Sequence, residues 1–154
     1  MKERIELLKR CELFKTLPPE GLEAVAERCV PEDVEAGGTI LVETRPAESL
    51  YVVAAGTVDY IKRVDEKRGL VLFRWQVGDC FGLHSVMDGK EHCVSAVAKG
   101  PVKLLRLPVL DFRAVCEEDP LFEHRMLRQI LGVQSHRLRQ ITNRLREFLA
   151  KIVK

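Results

Sequence analysis

The spacing of apolar positions changes three times along this chain. After Leu17 the sequence runs Pro18-Pro19-Glu20 and then places Leu22, Val25, Ala26 and Cys29 at i, i+3, i+4 and i+7. This predicts a short amphipathic helix behind a proline-marked start, with Pro31 as its stop. From Gly37-Gly38 onward the apolar residues fall instead in short, β-branched-rich segments at 39–42, 50–55, 57–61, 70–75, 94–98 and 102–107. Turn residues separate these segments: Arg45-Pro46, Gly56, Glu66-Lys67-Arg68-Gly69, Gly78-Asp79, Asp88-Gly89 and Gly100-Pro101. Strands punctuated at such intervals predict an antiparallel sandwich or barrel.

After Leu107 the period becomes helical again, with a short helix over 109–116. Asp119-Pro120 then reads as an N-cap followed by proline at the first helical position. The long helix that starts there carries a heptad pattern, with Leu131, Leu138, Leu145 and Ile152 at a and Leu127, Gln134, Ile141 and Phe148 at d. Seven of these eight positions are apolar. Such a seam predicts a partner helix, most simply the same helix of a second subunit, although packing on the chain's own β-domain would also bury it. Gly132 weakens the helix and predicts a bend or a close approach. Arg125, Arg128, Arg137, Arg139, Arg144 and Arg146 lie off the seam and are expected on a solvated face.

Composition adds bounds. At 154 residues the chain is one domain in size, and its net charge of +2 names no nucleic-acid partner. The charge is unevenly spread: residues 121–154 carry a net +6 and residues 1–120 a net −4. No apolar run approaches the roughly 20 residues that span a bilayer, and Met1-Lys2-Glu3-Arg4 does not open a signal peptide, so no membrane partner and a cytoplasmic location are expected. The five cysteines are scattered without a C-x-x-C pair and are expected to be mostly buried thiols.

The expected fold is thus mainly β with flanking helices, a double-stranded β-helix or jelly roll over residues 1–118 followed by a long dimerisation helix over 119–154. The order of these parts, with Leu13-Phe14, Gly38-Thr39-Ile40, Glu43, Leu50-Tyr51-Val52-Val53, Gly56, Val58 and Gly78-Asp79-Cys80-Phe81-Gly82, resembles the effector domain of the CRP/FNR family of bacterial regulators. The resemblance implies a cyclic nucleotide-binding-like β-roll whose phosphate-binding cassette falls on Gly82, Leu83, His84, Ser85 and Val86, at a helix N-terminus. Leu83 stands where nucleotide-binding members carry a ribose-binding glutamate, and His92 where they carry a phosphate-binding arginine. Lys90 supplies a mobile charge nearby. Cys80 and Cys93 are expected around the same pocket, as structural thiols or as a redox pair. From the helix, the resemblance implies Thr142 and Asn143 as ligand contacts.

Phe81-Gly82-Leu83-His84-Ser85 is also similar to the haem-ligand segment of the carbon-monoxide-sensing members, which makes His84 a candidate haem ligand. The function implied is a non-catalytic domain that binds a small effector between roll and helix and shifts a homodimer between two states. The effector stays open among haem, a cyclic nucleotide or other small anion, and none. A dimerisation module with a vestigial pocket is a further reading, and a cupin-like metalloenzyme another, although no His-x-His pair is present. In the family the DNA-binding domain follows the long helix, so no DNA-binding domain and no direct DNA binding are expected of these residues.

Overall fold

The computed structural model describes residues 1–153. Two helices, α1 (Lys2–Arg10) and α2 (Pro19–Arg28), precede the strands β1 (Val30–Val34), β2 (Thr39–Leu41), β3 (Ser49–Ala55), β4 (Val58–Arg63), β5 (Gly69–Trp75) and β6 (Cys80–Phe81). A short helix α3 (Leu83–Asp88), β7 (Ser95–Ala98), β8 (Val102–Pro108), α4 (Val109–Glu118) and α5 (Pro120–Ile152) complete the chain. The strands form two antiparallel four-stranded sheets, ordered β1-β8-β3-β6 and β2-β7-β4-β5.

The centre of the first sheet, β3 and β8, is buried on both faces because alternate side chains point opposite ways along a strand. Leu50 and Val52 of β3, with Leu105 and Leu107 of β8, pack against the helices, alongside Leu22, Val25, Phe112 and Phe122. Tyr51 and Val53, with Leu104, turn the other way and join Val58, Tyr60, Trp75, Ala96 and Ala98 of the second sheet in the interior of the roll. Gly56 turns the chain between β3 and β4 at φ +83°, where an added Cβ would stand 2.4 Å from the Pro101 carbonyl oxygen. Only glycine accepts both the left-handed conformation and that approach.

Asp119 caps α5 as its sequence predicts, accepting a hydrogen bond from the Leu121 N–H at 3.0 Å, with Pro120 at the first turn. The 33-residue helix is about 50 Å long and has two unlike halves. Phe122, Met126, Ile130 and Val133 are buried in the helical core. The heptad positions Leu127, Leu131, Leu138, Ile141, Leu145, Phe148 and Ile152 are all exposed, Leu131 and Leu138 by 69% and 65%.

Four expectations are corrected. Pro31 does not simply stop α2: it sits inside β1, an edge strand of its sheet, where a missing N–H is tolerated. Strand β6, two residues long, carries too little pattern to be read. Gly132 makes no close approach within its own chain, since nothing lies within 4 Å of an added Cβ, and α5 runs through it unbroken. Arg137 is half-buried rather than solvated, its guanidinium over the Trp75 ring, while Arg144 is exposed as expected and lies over Phe73. Among the described residues no helix is long and apolar enough to cross a membrane.

Candidate functional site

A cavity of about 280 Å³ opens between the roll and α5. Its strand-side wall is Tyr60 from β4, Leu72, Phe73 and Trp75 from β5, and Val94 beside β7. Gln134, Arg137, Leu138 and Ile141 of α5 form the opposite wall, at the i, i+3, i+4, i+7 spacing of one helix face. His84 and Cys93 complete it.

Aromatic packing sets the inner surface. Tyr60 meets Trp75 edge-on at 5.1 Å between centroids, and Phe73 stacks on Trp75 at 5.5 Å. The Arg137 guanidinium lies 4.5 Å from the centre of the Trp75 ring and donates to the Cys80 carbonyl at 2.6 Å. Trp75 is 8% exposed, and its indole N–H is buried without an acceptor. Arg144, one step further along α5, lies 5.0 Å over Phe73 and donates to the Leu72 carbonyl.

Of the residues implied by the cassette, His84 and Cys93 reach this cavity. Cys93 is exposed, and its Sγ lies 3.6 Å from His84 Nε2. Burial, reinforced by the positive charge of Arg137, holds the His84 imidazole below its ordinary pKa, with Asp88 opposing weakly. Gly82 opens α3 at φ +82°, and its N–H is already used, donating to Tyr60 Oη at 2.7 Å. Burial pushes the Tyr60 phenol well above its usual range.

The others lie elsewhere. Leu83 is fully buried and packs in the helical core, so its side chain faces away from the cavity. Ser85 is buried and donates to the Glu91 carbonyl at 3.4 Å, a contact that ties α3 to the following loop. Lys90 is exposed, and its backbone N–H donates to Asp88 at 2.9 Å. His92 is buried in a separate recess with Arg45, Glu48 and Tyr51, its pKa lowered by burial and then by His84. Thr142 donates to the Leu138 carbonyl at 2.8 Å and Asn143 is exposed; neither lines the cavity of its own chain. Gln134, Leu138 and Ile141, expected for the dimer seam, are the α5 residues that line it.

Cys80 and Cys93 do not pair. Cys80 lies against Cys11 instead, and the shared hydrogen bond, helped by the Arg137 charge, holds the Cys80 thiol low while raising that of Cys11. Haem does not fit the arrangement either. His84 Nε2 is engaged by Cys93, and the cavity of about 280 Å³ is further occupied at its α5 wall by the Arg137 guanidinium stacked over Trp75. Among the described residues no three His, Cys, Asp or Glu side chains are placed to hold a metal ion.

The cyclic nucleotide-binding domain family matches residues 31–119, more than half of the chain. The chain belongs to that family. Among curated relatives, the CRP-like cAMP-activated global transcriptional regulator of Mycobacterium tuberculosis is 26% identical over 144 residues, covering 94% of this chain and 62% of that protein. The chain therefore spans less than two thirds of the regulator it matches. Of solved structures, the catabolite activator protein of Thermus thermophilus is 27% identical with a TM-score of 0.74, covering 87% of this chain and 61% of that one. A cyclic nucleotide-binding domain from Methylobacillus flagellatus, 21% identical, has the same fold at a TM-score of 0.80 over 93% of this chain and 80% of that one. This family member keeps the β-roll and long helix of CRP-like regulators. Its cassette turns Leu83 into the helical core, and its cavity wall carries Trp75, Arg137, His84 and Cys93.

Proposed function

We propose that this chain is a non-catalytic effector-sensing domain of a CRP/FNR-type transcriptional regulator. A small molecule binds in the cavity between β4, β5, β7 and α5, and alters how α5 pairs with α5 of a second copy. The roll over 1–118 senses and the helix over 119–154 transmits. The name of the matched relative, a transcriptional regulator, supports an output on transcription. The five free cysteines suit the reducing cytoplasm.

One observation carries this reading. Gln134, Leu138 and Ile141 belong both to the cavity wall and to the heptad seam. A ligand that moves these three side chains therefore moves the surface a partner helix would meet. Effector and partner then bias one equilibrium, which is the thermodynamic content of sensing.

The test uses the single tryptophan, which lines the cavity. Titration with cyclic AMP and cyclic GMP is followed by Trp75 emission, and sedimentation is run on the same samples. A change in emission with a change in the association constant supports the reading with a nucleotide effector. An unchanged response to both moves the effector to another chemical class. A chain that stays monomeric at every concentration overturns the reading itself.

A further inference from the structure

We propose that Cys93 is a covalent effector site, at which His84 takes the thiol proton and the sulfur adds to an apolar conjugated carbonyl compound, a quinone or an enone, seated between Trp75 and α5. This rests on the cavity being the effector site and names the chemistry it accepts.

Among the five cysteines Cys93 alone is exposed; the other four are buried. Its Sγ lies 3.6 Å from His84 Nε2, within hydrogen-bonding reach for sulfur, so a nucleophile and a proton acceptor stand side by side. The walls around them are apolar: Leu72, Phe73, Val94, Leu138 and Ile141. Two donors interrupt those walls. The Trp75 indole N–H is buried with no acceptor, an arrangement that is costly until one arrives. The Arg137 guanidinium stands over the same ring.

Apolar walls, two donors and one thiol select a flat, apolar molecule with an acceptor oxygen conjugated to an electrophilic carbon. A peroxide is small and strongly hydrated and would use none of the walls. A phosphate would meet one guanidinium among hydrocarbon. In the step, His84 Nε2 accepts the Cys93 proton and the sulfur pair forms a C–S bond at the β-carbon. The C=C π pair forms the enolate double bond and the C=O π pair moves to the carbonyl oxygen, where Trp75 N–H and Arg137 stabilise the charge, and the imidazolium returns the proton to the enolate. An enone is thereby left as a saturated ketone thioether. A quinone becomes a hydroquinone thioether after loss of its ring proton to the second oxygen, its ring reduced by the electron pair the sulfur contributes, and no further oxidant is needed.

The experiment follows intact mass and peptide mapping of the whole chain exposed to 1,4-naphthoquinone. The expected result is one adduct on Cys93, formed at a rate that saturates with quinone concentration. Its saturating rate should fall at least about tenfold in His84→Gln. Trp75→Phe, which removes one of the two donors to the developing charge, should lower the saturating quinone rate and raise the half-saturating quinone concentration. The saturated ketone 1-tetralone, similar in shape and unreactive, should protect Cys93 in the unaltered chain, a readout that needs no variant to fold. A rate linear in quinone, indifferent to 1-tetralone and equal in His84→Gln would reduce Cys93 to an exposed thiol and overturn the proposal. If cyclic AMP still moved Trp75 emission in that case, the sensing reading would stand without it.

Discussion

The guanidinium of Arg137 lies 4.5 Å over the ring of Trp75, and through this pair α5 is fastened to the second sheet of the roll. The same arginine donates to the Cys80 carbonyl at the end of the first sheet. One side chain thus ties the long helix to both sheets at the mouth of the cavity. A cation on an aromatic face contributes about 0.5–2 kcal/mol, according to how far it is desolvated.

Arg137→Gln should keep the roll folded and free the second half of α5. The expected signature is a shift of Trp75 emission together with a thermal midpoint lowered by a few degrees. An emission spectrum identical to that of the unaltered chain would show that the pair does not persist in solution.

The exposed heptad stripe predicts self-association. Leu131→Glu combined with Leu145→Glu places charge at two positions that are 69% and 53% exposed in the single chain. Sedimentation should then show a monomer whose far-ultraviolet spectrum still reports the β-roll. A dimer that survives the double change would place the interface on another surface.

The first half of α5 is held by hydrophobic burial rather than by a partner. Met126 is 1% exposed in the helical core, and Met126→Ala should cost about 2–5 kcal/mol. Urea unfolding followed by circular dichroism measures it. A loss below about 1 kcal/mol would mean that the core closes over the gap.

His84 and His92 are both held below the ordinary imidazole pKa by burial, His84 further by Arg137 and His92 by His84, while Asp88 and Glu48 oppose. As pH falls through about 6.5 the unfolded chain binds these protons first. Stability is therefore complete above that value and declines as pH drops toward the lower folded pKa values. The thermal midpoint should fall between pH 7 and pH 5, and His84→Gln with His92→Gln should flatten the fall. Glu43 titrates below this window, because its pairing with Lys62 lowers its pKa. An undiminished slope in the double variant would therefore implicate other groups.

The sequence pattern exposed much of this architecture and less of the site. Strands β4 and β7 bury alternate residues, whereas β3 and β8 are nearly continuous buried runs, so these strands announce themselves as short apolar segments between turn residues, and Asp119-Pro120 announces α5. Strand β1 was hidden because Pro31 reads as punctuation, although an edge strand tolerates it. The heptad was legible and correctly marks exposed apolar positions. A period of seven nevertheless describes one seam, whereas α5 serves two faces, and Arg137 belongs to the second. His84 was singled out by its place in the cassette. Its neighbour Cys93 is brought to it by the rest of α3 and the four residues Gly89 to His92, which have no periodic signature. Leu83 could be matched to a family position by alignment, but only burial shows that its side chain points into the helical core.

The interleaved order of the sheets has a consequence for how the chain comes together. Strand β8 lies between β1 and β3, so the first sheet stays split until the chain has been extended to Pro108. Likewise β7 lies between β2 and β4 in the second sheet. Neither layer can form from an early, contiguous stretch, and such distant pairings place folding in the slower, millisecond-to-second regime of β-rich domains. During synthesis, more than three fifths of these 154 residues must leave the ribosome before either layer can close.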